Sequence, residues 1–149
     1  RTFSKIYGLA GLRVGYAISS PELAARLSPR QLPWSVNVVA ARTAIAALSD
    51  QPYAKKVGSL NSNDRQEFYN QVNARMLRCL DSKTNFVLLK TGRPGNEVAE
   101  LLRARSVSVA AGYPHFEKHV RVSLGLPTNM QAFWRAWDEC MPHHPVDSM

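Results

Sequence analysis

Apolar residues recur along this chain with two alternating periods, and the alternation predicts a mixed α/β fold. The continuous apolar run from Arg13 to Ile18 predicts a strand buried on both faces. Ser20-Pro21-Glu22 then supplies an N-cap, a proline in the first turn and an acid near the helix start, predicting a short helix through Leu27. Ser28-Pro29 ends it. An alanine-rich stretch from Val38 to Leu48 predicts a closely packing helix, stopped by Asp50-Gln51-Pro52. From Tyr53 onward Val57, Leu60, Phe68, Val72 and Met76 fall at helical spacing over a polar background, predicting a long amphipathic helix. Gly58 and the stretch Asn61-Ser62-Asn63 are weak helix formers and mark a place to bend.

The remainder alternates on a shorter scale. Asn85 to Lys90 predicts a strand, Thr91 to Gly95 a turn, and Asn96 to Arg105 a helix with Val98, Leu101 and Leu102 inward. Period-2 alternation over Val107–Val109 and His119–Leu124 predicts two further strands. Thr128 or Asn129 is the expected cap of a last helix whose Met130, Phe133, Trp137 and Met141 form one apolar stripe. From Pro142 no period remains. A disordered tail is expected over 142–149, with His143 and His144 in a frayed end rather than on a metal.

Composition narrows the class. At 149 residues the chain can hold one compact domain, or a small domain plus a piece of another. Hydrophobic residues make up 45% and charged residues 20%, the ordinary globular range, and no apolar run approaches the roughly 18 residues that a membrane span needs. No signal peptide is seen, so a cytoplasmic protein with reduced Cys79 and Cys140 is expected. The net charge of +8 raises nucleic acid as a partner. The basic residues are scattered, with no tract of five and no interleaved aromatics, which argues against nucleic acid; some of the excess can serve anionic ligands, and a fragment that lacks an acidic first half would be lopsided in the same way.

The segment Arg1 to Tyr16 concentrates the candidate chemistry. It sets an amine (Lys5), a hydroxyl (Ser4) and a guanidinium (Arg13) around Gly8 and Gly11, which let backbone come close to a ligand. Ser4 and Arg13 can reach an anion, and an amine beside that anion suits imine formation. Pyridoxal phosphate joins an aldehyde, which lysine captures, to a phosphate that needs fixed donors. The same residues also read as a glycine-punctuated turn entering a strand, with Lys5 and Arg13 solvated.

The order Ser4-Lys5-x-x-Gly8-Leu9-Ala10-Gly11-x-Arg13, followed by Val14-Gly15-Tyr16, resembles the cofactor-lysine segment of fold-type I pyridoxal-phosphate enzymes, in particular histidinol-phosphate aminotransferases. The resemblance runs from Arg1 to about Glu139. It implies that Lys5 condenses with the cofactor and carries protons, with Ser4 and Arg13 as phosphate ligands. Arg121, in His119-Val-Arg-Val-Ser-Leu-Gly125, resembles the arginine that grips the substrate α-carboxylate, a task a guanidinium fork performs bidentately. Taken alone, an arginine between two valines on a strand reads as a solvated outward residue.

The family is longer than this chain. The resemblance therefore implies a C-terminal portion: residues 1–52 a remnant of the large cofactor-binding domain and end of its sheet, 53–80 a linking helix, and 81–141 a small α/β (α+β) domain. It further implies amino-acid and 2-oxo-acid substrates, a homodimer with exposed apolar surface, and a fragment inactive by itself. The segment Val109-Ala-Ala-Gly-Tyr113-Pro114 lacks the arginine that holds a substrate phosphate in those enzymes, so an aromatic or other amino acid fits as well. Leu32 to Asn37 and Gly112 to Pro114 also resemble threonine-phosphate decarboxylases of the same fold. A non-catalytic interaction domain is the alternative of another class.

Overall fold

A computed structural model of the chain describes residues 1–141; the expected tail, with His143 and His144, lies outside the described residues. The chain divides into two compact units, Arg1–Ser59 and Leu60–Met149.

In the first unit, Pro21–Leu27 (α1) starts as expected, with the Ser20 hydroxyl accepting from the Leu23 N–H. Asn37 caps Val38–Ser49 (α2) by accepting from Ala40 N–H at 2.8 Å. Asp50-Gln51-Pro52 both stops α2 and starts the next helix, Gln51–Ala74 (α3), because the Asp50 carboxylate accepts from Tyr53 N–H at 3.0 Å and Pro52 needs no donor in a first turn. The expected strand over Arg13–Ile18 is reduced to one antiparallel bridge, Thr2 to Gly15. A run apolar on every side needs neighbours on both faces and edges to become a strand, and among the described residues only the segment around Thr2 lies beside it. Ile18 is accordingly 87% exposed. Leu32 and Trp34 are exposed too, Trp34 at 96%, while the buried residues of this unit are Phe3 and the small Ala40, Ala44 and Ala54.

The second unit is built on an antiparallel pair, Phe86–Lys90 (β1) and His119–Ser123 (β2), in register Leu88 to Arg121. Both strands alternate buried and half-buried positions, so Val87, Leu89, Val120 and Val122 share the core face and Phe86, Leu88, His119 and Arg121 the other. Helices Gly95–Arg103 (α4) and Pro127–Cys140 (α5), with the C-terminal half of α3, contribute to the same core through Val98, Leu102, Phe133, Trp137, Phe68 and Val72. Each large side chain removed from water here stabilises the fold by roughly 1.5–3 kcal/mol before ordering costs. Aromatic rings interlock at the centre, Phe68 to Trp134 at 4.9 Å and Phe133 to Trp134 at 4.8 Å. Trp134 also carries the Arg75 guanidinium 4.5 Å above its ring, while Arg75 forms a two-pronged ion pair with Asp138.

Several expectations are corrected here. Met76 is not on the apolar stripe of α3: it is 70% exposed and left-handed, φ 54°, where Leu77 N–H bonds Val72 C=O and Met76 N–H bonds Asn73 C=O to close the helix. Leu60 is exposed as well. The expected strand Val107–Val109 shrinks to a bridge at Ala110, because Ser106 turns left-handed and Val107 N–H caps α4 through Leu102 C=O. α5 starts at Pro127 rather than after Thr128 or Asn129, since proline fits a first turn without any side-chain cap. Its Phe133 and Trp137 are buried and its Met130 and Met141 half-buried as the stripe required, with Trp134 and Ala136 buried beside them.

Gly95 begins α4 against the backbone of His119, and a Cβ there would collide with the His119 carbonyl. Gly95→Ala is expected to destabilise the second unit by about 1–3 kcal/mol, read as a lower midpoint in urea unfolding followed by tryptophan fluorescence. An unchanged midpoint would show that β2 yields at no cost.

Candidate active site

The loop from Thr2 to Gly15 carries Ser4, Lys5 and Arg13. Its ends are paired by Phe3 N–H to Val14 C=O at 3.3 Å and Tyr16 N–H to Arg1 C=O at 2.9 Å. Phe3 points inward and is buried against the rings of Tyr7, 5.2 Å, and Tyr16, 6.0 Å. The Phe3 carbonyl then accepts from Leu9 N–H at 3.0 Å, pulling the loop back over its own start. A tight turn from Lys5 to Gly8 needs the left-handed φ of 69° that glycine supplies. Residues Ala10–Leu12 add one turn of 3-10 helix, closed by Arg13.

Arg13 is left-handed without being glycine, φ 52°, and its Nη1 donates to the Ala10 carbonyl at 2.6 Å. That bond satisfies a carbonyl the turn leaves open, and offsets the roughly 1–2 kcal/mol such a conformation costs. The remaining guanidinium N–H groups have no acceptor among the described residues. Ser4 is half-buried; its backbone N–H donates to Thr2 Oγ1 at 3.1 Å, and Thr2 Oγ1 donates to Ser4 Oγ at 2.8 Å. The Ser4 hydroxyl proton is left for an external acceptor. Lys5 is exposed, and its amine has no hydrogen-bond or ion-pair partner among the described residues. A Cβ at Gly8 or Gly11 would meet nothing within 4 Å, so an anion can approach the backbone there. Residues 1–18 carry Arg1, Lys5 and Arg13 and no acid. The loop therefore fits a phosphate-bearing aldehyde: free donors, an amine and no competing carboxylate.

Arg121 belongs to the second unit. Its backbone N–H and C=O both bond Ala110, at 2.7 and 3.3 Å, so it faces Leu88 as a pair without mutual hydrogen bonds and its side chain rises among those of β1. It is half-buried rather than solvated. The guanidinium carbon sits 4.3 Å over the Phe86 ring, Nη1 donates to the Tyr113 hydroxyl at 3.4 Å, and Nε is enclosed without an acceptor. No carboxylate lies within ion-pair distance of it among the described residues. On the same face, burial and then Lys90 hold the His119 imidazole below its ordinary pKa, with Glu117 opposing. Among the described residues no group of His, Cys, Asp and Glu is placed to hold a metal ion, and Cys79 and Cys140 are free thiols.

Thr2 carries no site signal in the sequence, while Asn85-Phe86 fits the pattern of the resembled family and Tyr113 lies in the segment that lacks the substrate-phosphate arginine. Strand alternation hints that Phe86 shares a face with Leu88, but only the register brings Arg121 to that face.

The family model for class I and II aminotransferases matches residues 1–135. A histidinol-phosphate aminotransferase of Shouchella clausii is 38% identical over 137 residues, covering 89% of this chain and 36% of that protein. Another from Moorella thermoacetica is 35% identical over 142 residues, covering 95% and 37%. The crystal structure of histidinol-phosphate aminotransferase from Sinorhizobium meliloti in complex with pyridoxal-5'-phosphate is 31% identical, with a TM-score of 0.78 over 94% of this chain and 40% of that one. The chain thus spans little more than a third of its relatives' length.

Replacing Phe3 by Ala removes the ring that folds the loop back. The Leu9 amide, bonded to the Phe3 carbonyl, is then expected to exchange with deuterium at least about tenfold faster, from a local loss of 1.4 kcal/mol or more. Unchanged exchange would mean that the loop holds its shape without this anchor.

Proposed function

Because this chain belongs to the class I and II aminotransferase family, we propose that it provides the cofactor lysine and the carboxylate-binding arginine of a pyridoxal-phosphate-dependent transaminase. When bound, pyridoxal phosphate supplies an aldehyde that captures an amino group and a ring that draws electrons from the neighbouring carbon. Lys5 Nζ is the point of attachment. As a free amine, Lys5 Nζ would take up and return the proton carried by the substrate α-carbon. Ser4, through its hydroxyl proton, and Arg13, through its unpaired N–H groups, would hold the phosphate, and Gly8 and Gly11 leave their backbone open to it. Arg121 holds the α-carboxylate, which orients the α-carbon hydrogen for transfer.

The observation that carries this reading is Arg121: a guanidinium stacked on Phe86, half-buried, and without any carboxylate from the described residues. A cation kept from water without an anion is costly unless a ligand completes it. The substrates in this reading are an L-amino acid or histidinol phosphate and a 2-oxo acid. The relatives' names favour histidinol phosphate, whereas the arginine-free Val109–Pro114 leaves an amino acid with an uncharged side chain equally well served. Transamination is preferred to decarboxylation because the similar proteins described above are aminotransferases. Exposed Ile18, Leu32 and Trp34 support assembly, as a homodimer in the cytoplasm, in the complete protein. Among the described residues no helix is long and apolar enough to cross a membrane.

In the full-length polypeptide, Lys5→Ala is expected to abolish the cofactor absorbance near the visible edge and to cut transamination on the order of 10²–10⁴-fold. Retention of both would overturn the assignment. The 149-residue chain alone is expected to be silent, since Lys5 stands open to water and no acid in residues 1–18 can pair the ring nitrogen. Turnover of L-phenylalanine and 2-oxoglutarate by the purified chain would contradict that.

A further inference from the structure

The carboxylate receptor around Arg121 is larger than one side chain. Nε is enclosed, so a ligand reaches the guanidinium at its η nitrogens. Nη1 is the nitrogen beside the Tyr113 hydroxyl, which accepts from it at 3.4 Å. A phenol has one proton to give as well as lone pairs to offer, and the Tyr113 proton has no acceptor among the described residues. The phenol ring is half-buried, and Tyr113 follows Gly112, whose φ of 80° and close approach to Asn96 set the direction of the chain at that point. On the other side Phe86 holds the plane of the guanidinium.

We propose that Tyr113 is a substrate-binding residue: its O–H donates to the same carboxylate that Nη1 and Nη2 of Arg121 grip, making a three-donor receptor. The proposal rests on the reading of Arg121 as the α-carboxylate site. The contact of 3.4 Å is long for a hydrogen bond, as such contacts are before a ligand draws the donors together. A carboxylate between the two groups accepts from both and shortens neither backbone distance. A cation beside Arg121 in the place of Tyr113 would select a second anion on the substrate. With a neutral phenol there, and with Phe86 and Leu88 on the same face, the receptor favours one carboxylate next to an uncharged, apolar or aromatic body.

The test compares 3-phenylpropionate with 3-phenylpropionamide as dead-end ligands of the full-length holoenzyme, binding being read from the cofactor absorbance. Tyr113→Phe keeps the ring and removes only the hydroxyl. It is expected to raise the Kd of the acid roughly tenfold to a hundredfold, the range for a hydrogen bond to a charged group, and to leave the Kd of the amide unchanged. Arg121→Lys is expected to weaken the acid further. If Tyr113→Phe leaves the acid's Kd unchanged, or weakens acid and amide equally, while Arg121→Lys still weakens the acid, the role of Tyr113 falls and the carboxylate site stands. If the wild-type protein does not prefer the acid, or Arg121→Lys has no effect on it, the reading of Arg121 falls and the proposal with it.

Discussion

The second unit depends on the register of one antiparallel pair. With Leu88 opposite Arg121, the alternation of side chains sends Val120 and Val122 into the core and Arg121 to the opposite face, above Phe86. A slip of one residue would exchange the two sets, burying a guanidinium among valines and opening two valines to water. The hydrophobic core and the position of the candidate substrate arginine are therefore one decision. Pairing of β2 on its other edge, through both backbone groups of Arg121 to Ala110, makes that decision firm where it matters chemically. The cost of holding the guanidinium away from water is offset in part by the Phe86 ring and by a phenol oxygen.

The first unit solves its own problem by local means. It has no sheet among the described residues, and its loop is shaped by a buried ring, a glycine turn and an arginine that closes a single helical turn on itself. Those devices use a ring, backbone groups and one Arg13 nitrogen, and leave the Lys5 amine, the Ser4 hydroxyl proton and the other Arg13 N–H groups without a partner among the described residues. Residues 1–18 contain no acid to take them up.

Much of this was legible in the chain. The capping residue Ser20 and the stop at Asp50-Gln51-Pro52 marked helix boundaries because their effects are local, which sequence displays directly, whereas the caps made by Asn37 and Asp50 were not singled out. The stripe of α5 was visible for the same reason, its period being a property of one helix. The misses all involve partners. Arg13–Ile18 had the composition of a strand but lacks flanking strands, Val107–Val109 alternated correctly yet was claimed by the cap of α4, and Met76 fell on period one turn after the helix had closed. In the site, Lys5, Ser4 and Arg13 stood out because they are consecutive or nearly so. The contact of Phe86 and Tyr113 with Arg121 did not, since it is set by register and by a left-handed glycine, neither of which a periodicity reveals.

The central claim is that one amine among six lysines is the point of cofactor attachment. Incubating the full-length polypeptide with pyridoxal phosphate, reducing with borohydride and mapping the added pyridoxyl mass by peptide mass spectrometry tests it most directly. The account predicts near-complete labelling at Lys5 and background labelling at Lys55, Lys56, Lys83, Lys90 and Lys118. Labelling spread evenly over the exposed lysines, or concentrated at a lysine other than Lys5, would contradict it.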